Sequence, residues 1–252
     1  MPPRSLKQRL VDGETVVGTF VNVDSPAVTE AATLAGLDFT IIDQEHGPLT
    51  AETSLSMCMG AEVGGGAPIV RVRGNEAPEI QRALDVGAAG VQIPQVESRA
   101  DAEAAVEAAR FAPEGGRGLS PYVRAGEYGL QDDYTGTQNE RTLLIVHVEG
   151  QEGIDNLDGI LAVDGIDVIF LGPYDLSQAL GVPGEVTSEQ VVETMSDICD
   201  RARAADTVVG AYADTPAIAN QWIESGVQYV AVSVDCSLLQ DRFAEVADAV
   251  DS

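Results

Sequence analysis

Lysine is almost absent: the 252-residue chain carries one, Lys7, beside 13 arginines and 41 aspartates and glutamates. Lys7 precedes the first strand-like run, so no amine sits on an inner strand to form an imine with a carbonyl substrate. Cysteine is scarce as well. Cys58, Cys199 and Cys236 are odd in number and widely spaced, with no Cys-x-x-Cys pair and no nearby histidine. That excludes a disulfide framework and a structural zinc site and predicts three reduced thiols. No apolar run reaches the roughly 18 residues of a membrane span, and Met1-Pro2-Pro3-Arg4 lacks the apolar stretch of a secretory signal. These readings predict a cytoplasmic protein with no membrane partner. The shortage of positive charge leaves a formal net charge of −27, which repels nucleic acid and excludes it as a partner.

The acidic residues are spread among periodic apolar segments rather than gathered into a tail, so they belong to the surface of a folded domain. An acidic, lysine-poor surface suits a protein kept soluble in concentrated salt, where self-repulsion is screened. A halophilic host is the expectation. With 44% hydrophobic residues the chain has the size and apolar content of one full α/β barrel.

Short β-branched runs alternate with Ala- and Glu-rich stretches, the pattern of repeated β-α units around a parallel sheet. Eight runs read as strands: Val17–Val21, Phe39–Ile42, Ile69–Val72, Val91–Ile93, Leu143–Val148, Val168–Leu171, Val208–Ala211 and Tyr229–Val232. Helix starts are marked by Ser25 before Pro26, by Ser98, by Ser188 and by Thr215 before Pro216. One long irregular connection, Ala112 to Arg141, suggests a lid or an oligomer contact. A doubly wound sheet would bring a Gly-rich turn after the first strand, where this chain has Asn22-Val23-Asp24-Ser25. The expected fold is therefore α/β, a single-domain (β/α)8 TIM barrel over residues 1–252. Gly64-Gly65-Gly66 reads as a helix end and loop rather than a phosphate cradle.

In such a barrel, functional side chains gather at the C-terminal ends of the strands. The second strand ends in Asp43-Gln44-Glu45-His46, the third in Arg71, the fifth in His147-Val148-Glu149 and the sixth in Gly172-Pro173-Tyr174-Asp175. Alternation puts Ile145, His147 and Glu149 on the inward face, leaving Leu144, Val146 and Val148 to pack against helices. An inward carboxylate needs an arginine or a cation. Glu149 and Asp175 on adjacent strand ends suit a hard divalent ion, Mg2+ or Mn2+, with Co2+ as a borderline choice. The structural alternative is a salt bridge for Glu149 and a helix cap for Asp175. His46, between carboxylates, reads as a general base or as a loop histidine satisfied by Asp43. Arg71 reads as an oxyanion stabiliser, as a partner of Glu149 or Asp43, or as both. Cys236 reads as packing, with no histidine placed to activate it.

These residues resemble the HpcH/HpaI aldolase family, the class II pyruvate aldolases, from roughly Gly18 to the C-terminus. The resemblance is carried by Gly36-Leu37-Asp38-Phe39, Ile42-Asp43-Gln44-Glu45-His46-Gly47-Pro48, Val70-Arg71, Leu84-Asp85-Val86-Gly87, Arg117-Gly118, Val148-Glu149, Gly172 to Ser177 and Val230 to Asp235. It implies that Glu149 and Asp175 bind a divalent metal and that His46 is the base, with Asp85 raising its basicity. Arg71 would stabilise an enolate. Main-chain groups around Gly172, Pro173, Tyr174 and Asp175 would hold the carboxylate of pyruvate. The implied reaction joins or splits a 2-oxo acid and an aldehyde. The implied assembly is a trimer or hexamer with exchanged C-terminal helices. This chain departs from the family in His147, commonly Gln and here placed to contact substrate, and in Tyr174, commonly a small residue. Both bear on the choice of aldehyde. Two other readings stay open, an acyl-CoA or other carbon–carbon lyase of the same barrel group and a metal- or metabolite-binding protein without turnover.

Overall fold

The computed structural model describes residues 4–250. Eight parallel strands close into a barrel in sequence order. They are β1 (Val16–Val21), β2 (Phe39–Asp43), β3 (Ala67–Arg71), β4 (Gly90–Ile93), β5 (Leu143–Val148), β6 (Val168–Leu171), β7 (Val208–Ala213) and β8 (Tyr229–Val234). Every expected strand is present, each displaced at an end by no more than two residues. The single-domain barrel expectation holds.

Two apolar layers follow from the alternation of side chains along each strand. Inside, Phe20, Phe39, Ile41, Ile69, Ile145, Phe170 and Tyr229 fill the barrel. Outside, Val21, Ile42, Val70, Leu144, Val146 and Leu171 pack under the helices. The inner face expected for Ile145 and the outer face expected for Leu144, Val146 and Val148 are both observed. A short helix ahead of β1, Leu6–Val11, adds Leu6 and Leu10 to the inner layer and closes the N-terminal end.

The caps read from the sequence fall into place. Ser98 accepts from Asp101 N and Thr215 from Ile218 N, each stabilising its helix by about 1 kcal/mol. Ser25 and Ser188 occupy N-cap positions without making that bond. Gly64 ends the helix Ala51–Val63, so the glycine triplet is a helix end and loop. The connection after β4 is more ordered than its composition suggests. It contains a 3-10 segment, Arg124–Gly129, and a helix, Tyr134–Arg141. That helix has poor intrinsic propensity, with Thr135, Gly136 and Thr137 in its first turns. Tertiary contacts override propensity: Asp133 caps it, Tyr134 packs edge-on to Phe111, and the buried Asn139 exchanges hydrogen bonds with the Phe111 backbone. The last helix, Asp235–Ala249, starts at the buried Asp235, yet its apolar residues Leu238, Leu239, Phe243 and Val246 are exposed.

Candidate active site

A pocket of about 300 Å3 opens at the C-terminal mouth of the barrel. Two larger clefts, about 790 and 460 Å3, lie among strand starts and the Leu6–Val11 helix and hold none of the strand-end residues. The smaller pocket is therefore the candidate site, and Asp43, His46, Arg71, His147, Glu149 and Asp175 all line it.

Arg71 is fixed from several sides. In-register pairing of β2 and β3 sets Asp43 opposite Arg71, and Asp43 accepts from Nε at 2.8 Å and Nη2 at 2.7 Å. Nη1 lies 3.1 Å from Glu45 Oε2, while the guanidinium carbon sits 4.7 Å from the centroid of the Phe20 ring. Two of the five guanidinium hydrogens are thus committed to Asp43 and Nη1 faces Glu45, which leaves the second hydrogen on Nη2 and one on Nη1 for an oxygen in the pocket. Burial raises the Glu45 carboxyl above its ordinary value, only partly opposed by Arg71. Asp43 Oδ1 also accepts the backbone N–H groups of Glu45 and His46 and so shapes the turn. The His46 ring is exposed at the rim, and its nearest acidic atom is Glu45 Oε2 at 3.9 Å rather than Asp43.

His147 joins β4 to Glu149. Its Nε2 lies 2.5 Å from Gln92 Nε2 and its Nδ1 2.5 Å from Glu149 Oε1, and its ring stacks on Phe170 at 4.7 Å. Both nitrogens are occupied, so the ring presents the pocket with an edge and orients Glu149. Burial alone would raise the Glu149 carboxyl. The hydrogen bond and charge of His147, the charge of Arg71 and the backbone N–H of Gln95 outweigh it, and the carboxyl is held below its usual value. Gln95 makes that bond from a left-handed backbone, φ 57°.

Asp175 occupies the first turn of the helix Pro173–Ala179. Burial and the charge of Glu149 push its carboxyl up, and among the described residues it has no cationic partner within ion-pair distance. A Cβ on Gly172 would stand 2.6 Å from Asp175 Oδ2, so a side chain there would displace the carboxylate. Two neighbouring carboxylates, one held ionised and the other strained by its neighbour's charge, form a donor set suited to a hard divalent cation completed by water or substrate oxygens. Among the described residues no third His, Cys, Asp or Glu joins them.

Asp85 is the expected site residue that the chain does not bring to this pocket. It ends the helix Ala77–Asp85, where Arg117 donates to it at 2.7 Å. The Arg117 side chain is fully buried and stacks 4.5 Å from the Phe111 ring centroid, which fixes Asp85 in place.

Several pocket residues lie at strand ends whose position alone marks them. Asn22 follows β1, and its Oδ1 is buried without a hydrogen-bond partner. Tyr212 and Asp214 close β7: Tyr174 donates to Asp214 Oδ2 at 2.9 Å, and Tyr212 is pushed up to about 12 by burial and then by Asp214.

A barrel whose mouth joins two neighbouring carboxylates, a clamped guanidinium and an exposed imidazole suits carbon–carbon bond chemistry beside a carbonyl. The comparisons define the family. Residues 16–241 match the model of the HpcH/HpaI aldolase/citrate lyase family. The chain is 36% identical to 5-keto-4-deoxy-D-glucarate aldolase of Escherichia coli O157:H7 (strain EC4115 / EHEC), over 98% of this chain and 96% of that one. Among solved structures it resembles an HpcH/HpaI aldolase/citrate lyase family protein from Burkholderia cenocepacia J2315, with TM-score 0.91 and 34% identity over 98% and 99% of the two chains. It also resembles the citrate synthase SbnG, with TM-score 0.86 and 31% identity over 97% and 96%. The chain belongs to the HpcH/HpaI aldolase/citrate lyase family and is a carbon–carbon lyase of the class II pyruvate aldolase type.

Proposed function

We propose that the protein cleaves 4-hydroxy-2-oxo acids to pyruvate and an aldehyde, or runs the reverse addition, with Mg2+ or Mn2+ held by Glu149 and Asp175. The observation that carries this reading is the convergence of Glu149, Asp175, Arg71 and His46 on one pocket. The cation would neutralise charge on the carboxylate and 2-oxo oxygens of the substrate. First-turn N–H groups of the helix after Gly172 support the substrate carboxylate, Pro173 having none to give. His46, open to water at the rim, takes the 4-hydroxyl proton. The C3–C4 bond breaks, its electron pair forms the C2–C3 double bond, and the aldehyde carbonyl forms from the former hydroxyl. Arg71 directs its free N–H groups at the negative 2-oxo oxygen of the enolate. A proton delivered to C3 then gives pyruvate.

The exposed apolar side of the Asp235–Ala249 helix supports a homo-oligomer, trimeric or hexameric, in which this helix packs on a second copy. The acidic surface supports a cytoplasm of high salt, and among the described residues no helix is long and apolar enough to cross a membrane.

The test follows deuterium into the methyl group of pyruvate, with Mg2+ or Mn2+ in molar KCl, alongside cleavage of a 4-hydroxy-2-oxo acid. His46→Ala is expected to lose cleavage by about 100- to 10,000-fold, the usual worth of a positioned base, while still binding pyruvate. Wild-type protein that neither exchanges those protons nor cleaves would overturn the reading, and undiminished cleavage by His46→Ala would move the base elsewhere.

A further inference from the structure

Nothing in the mechanism uses the outer wall of the pocket, where the ends of β6 and β7 meet. Tyr174 stands there half exposed, at 48%, and gives its hydroxyl proton to Asp214 at 2.9 Å. Tyr212 lines the same wall and senses the same carboxylate. Across the mouth, after β1, Asn22 adds a buried carbonyl oxygen with no partner. A phenol whose proton is committed to a carboxylate has only lone pairs left to offer. The mouth is therefore rich in acceptors, and among the described residues Asp214 has no arginine or lysine within ion-pair distance. The one arginine lining the pocket, Arg71, is held by Asp43 and Glu45.

We infer that Tyr174, Tyr212 and Asn22, with Asp214 positioning the phenols, form the aldehyde subsite and select uncharged, hydroxylated aldehydes over both carboxylate-bearing and plain alkyl ones. The inference rests on the aldolase reading above and names the acceptor class for it. Hydroxyl groups donate to the phenol oxygens and to the unpartnered Asn22 Oδ1, which an alkyl aldehyde leaves unmatched. An anionic aldehyde brings its charge toward Asp214 without a counter-ion, and like charges disfavour it.

The test measures kcat/KM for addition of pyruvate to D-glyceraldehyde, propanal and succinic semialdehyde, with pyruvate methyl exchange followed in each preparation. Intrinsic carbonyl reactivity cancels when the ratios of a variant are divided by those of the wild type. Tyr174→Phe is expected to cut the preference for glyceraldehyde over propanal by about 10-fold, the effect of one lost hydrogen bond to substrate. Asp214→Asn is expected to raise succinic semialdehyde relative to glyceraldehyde by about 10-fold as the like charge is removed. A structural role for Asp214 would lower all three aldehydes together and leave their ratios unchanged. Wild-type preference for succinic semialdehyde over glyceraldehyde, or ratios unmoved in Tyr174→Phe, overturns the subsite while pyruvate exchange leaves the aldolase reading intact. Should Asp214→Asn fail to fold, Tyr174→Phe, which removes one hydroxyl from a half-exposed ring, decides alone. Absence of exchange in the wild type removes the aldolase reading and the subsite with it.

Discussion

Asp43 and Arg71 are register partners across β2 and β3, and the carboxylate grips the guanidinium through Nε and Nη2 at 2.8 and 2.7 Å. The geometry is bidentate and nearly dry, which fixes the plane of the fork and decides which N–H groups are left for substrate. Replacing Arg71 by lysine substitutes one flexible ammonium for that fork. Arg71→Lys is expected to slow both pyruvate proton exchange and C–C cleavage by on the order of 100-fold or more, the usual scale for removing one preorganised oxyanion donor. Unequal losses in the two assays, with exchange spared, would mean that Arg71 does not meet the enolate oxygen. Asp43→Ala leaves a buried cation half paired and is expected to cost about 3 kcal/mol in denaturant unfolding.

Metal dependence has a defined pH sense. The Asp175 carboxyl is raised by burial and by Glu149, whereas Glu149 is lowered. In the metal-free protein, as pH falls, Asp175 takes a proton at a higher pH than an ordinary aspartate, and Glu149 holds out longest. A raised folded pKa means stability is lost as pH rises through the interval above the unfolded value of about 4. Added Mg2+ or Mn2+ is expected to restore it. The metal-induced rise in thermal midpoint should thus be largest at neutral pH and shrink as protons compete for Asp175. Glu149→Gln is expected to abolish that rise and most activity without unfolding the barrel, and full activity after exhaustive chelation would refute the metal assignment.

Asp85 separates two roles by experiment. Its bond to the buried Arg117 predicts that Asp85→Ala destabilises the fold by about 3 kcal/mol, the cost of stranding a buried charge. A residue tuning His46 would instead shift the acidic limb of the pH–rate profile. Measuring both quantities on one preparation distinguishes them, and a shifted limb with unchanged stability would support the role that family resemblance implies.

Salt should stabilise the protein. With 41 acidic residues against 14 basic ones, and most arginines already in ion pairs such as Arg9–Asp38 and Arg201–Asp158, much negative charge remains unpaired. The thermal midpoint is expected to climb as KCl goes from low to molar concentration. A midpoint that is flat or falls over that range would contradict the halophilic reading.

Removal of Leu238–Ser252 is expected to lower the mass measured by light scattering in high salt, because it deletes the exposed Leu238, Leu239, Phe243 and Val246. A full-length protein that is already monomeric would refute the assembly.

The barrel was legible because the two periodicities it needs are written on opposite faces of each strand, as in Leu144, Val146 and Val148 against Ile145, His147 and Glu149. The Tyr134–Arg141 helix was not legible, since Asn139 and Tyr134 hold it through contacts distant in sequence. At the site, the strand ends carrying motifs yielded Arg71, Glu149 and Asp175. Asn22, Gln95, Tyr212 and Asp214 carry no motif, and only the closed barrel, which makes every strand end a neighbour of the mouth, brings them in. Asp85 shows the converse: a family motif marks it, yet its fully buried partner Arg117 fixes its place in this chain.

Phe20 lies under the Arg71 guanidinium and meets Phe170 and Tyr212 edge-on, with centroids 6.2 and 6.0 Å away, while Phe170 carries the His147 ring. One benzene ring is thus a shared footing for Arg71, for the ring that orients Glu149 and for one wall of the proposed aldehyde subsite. Change at Phe20 would disturb all three together, whereas Tyr174 and Asp214 stand free of that footing. Under the proposed mechanism, the choice of aldehyde is set at the rim while the pyruvate half of the reaction is held from beneath.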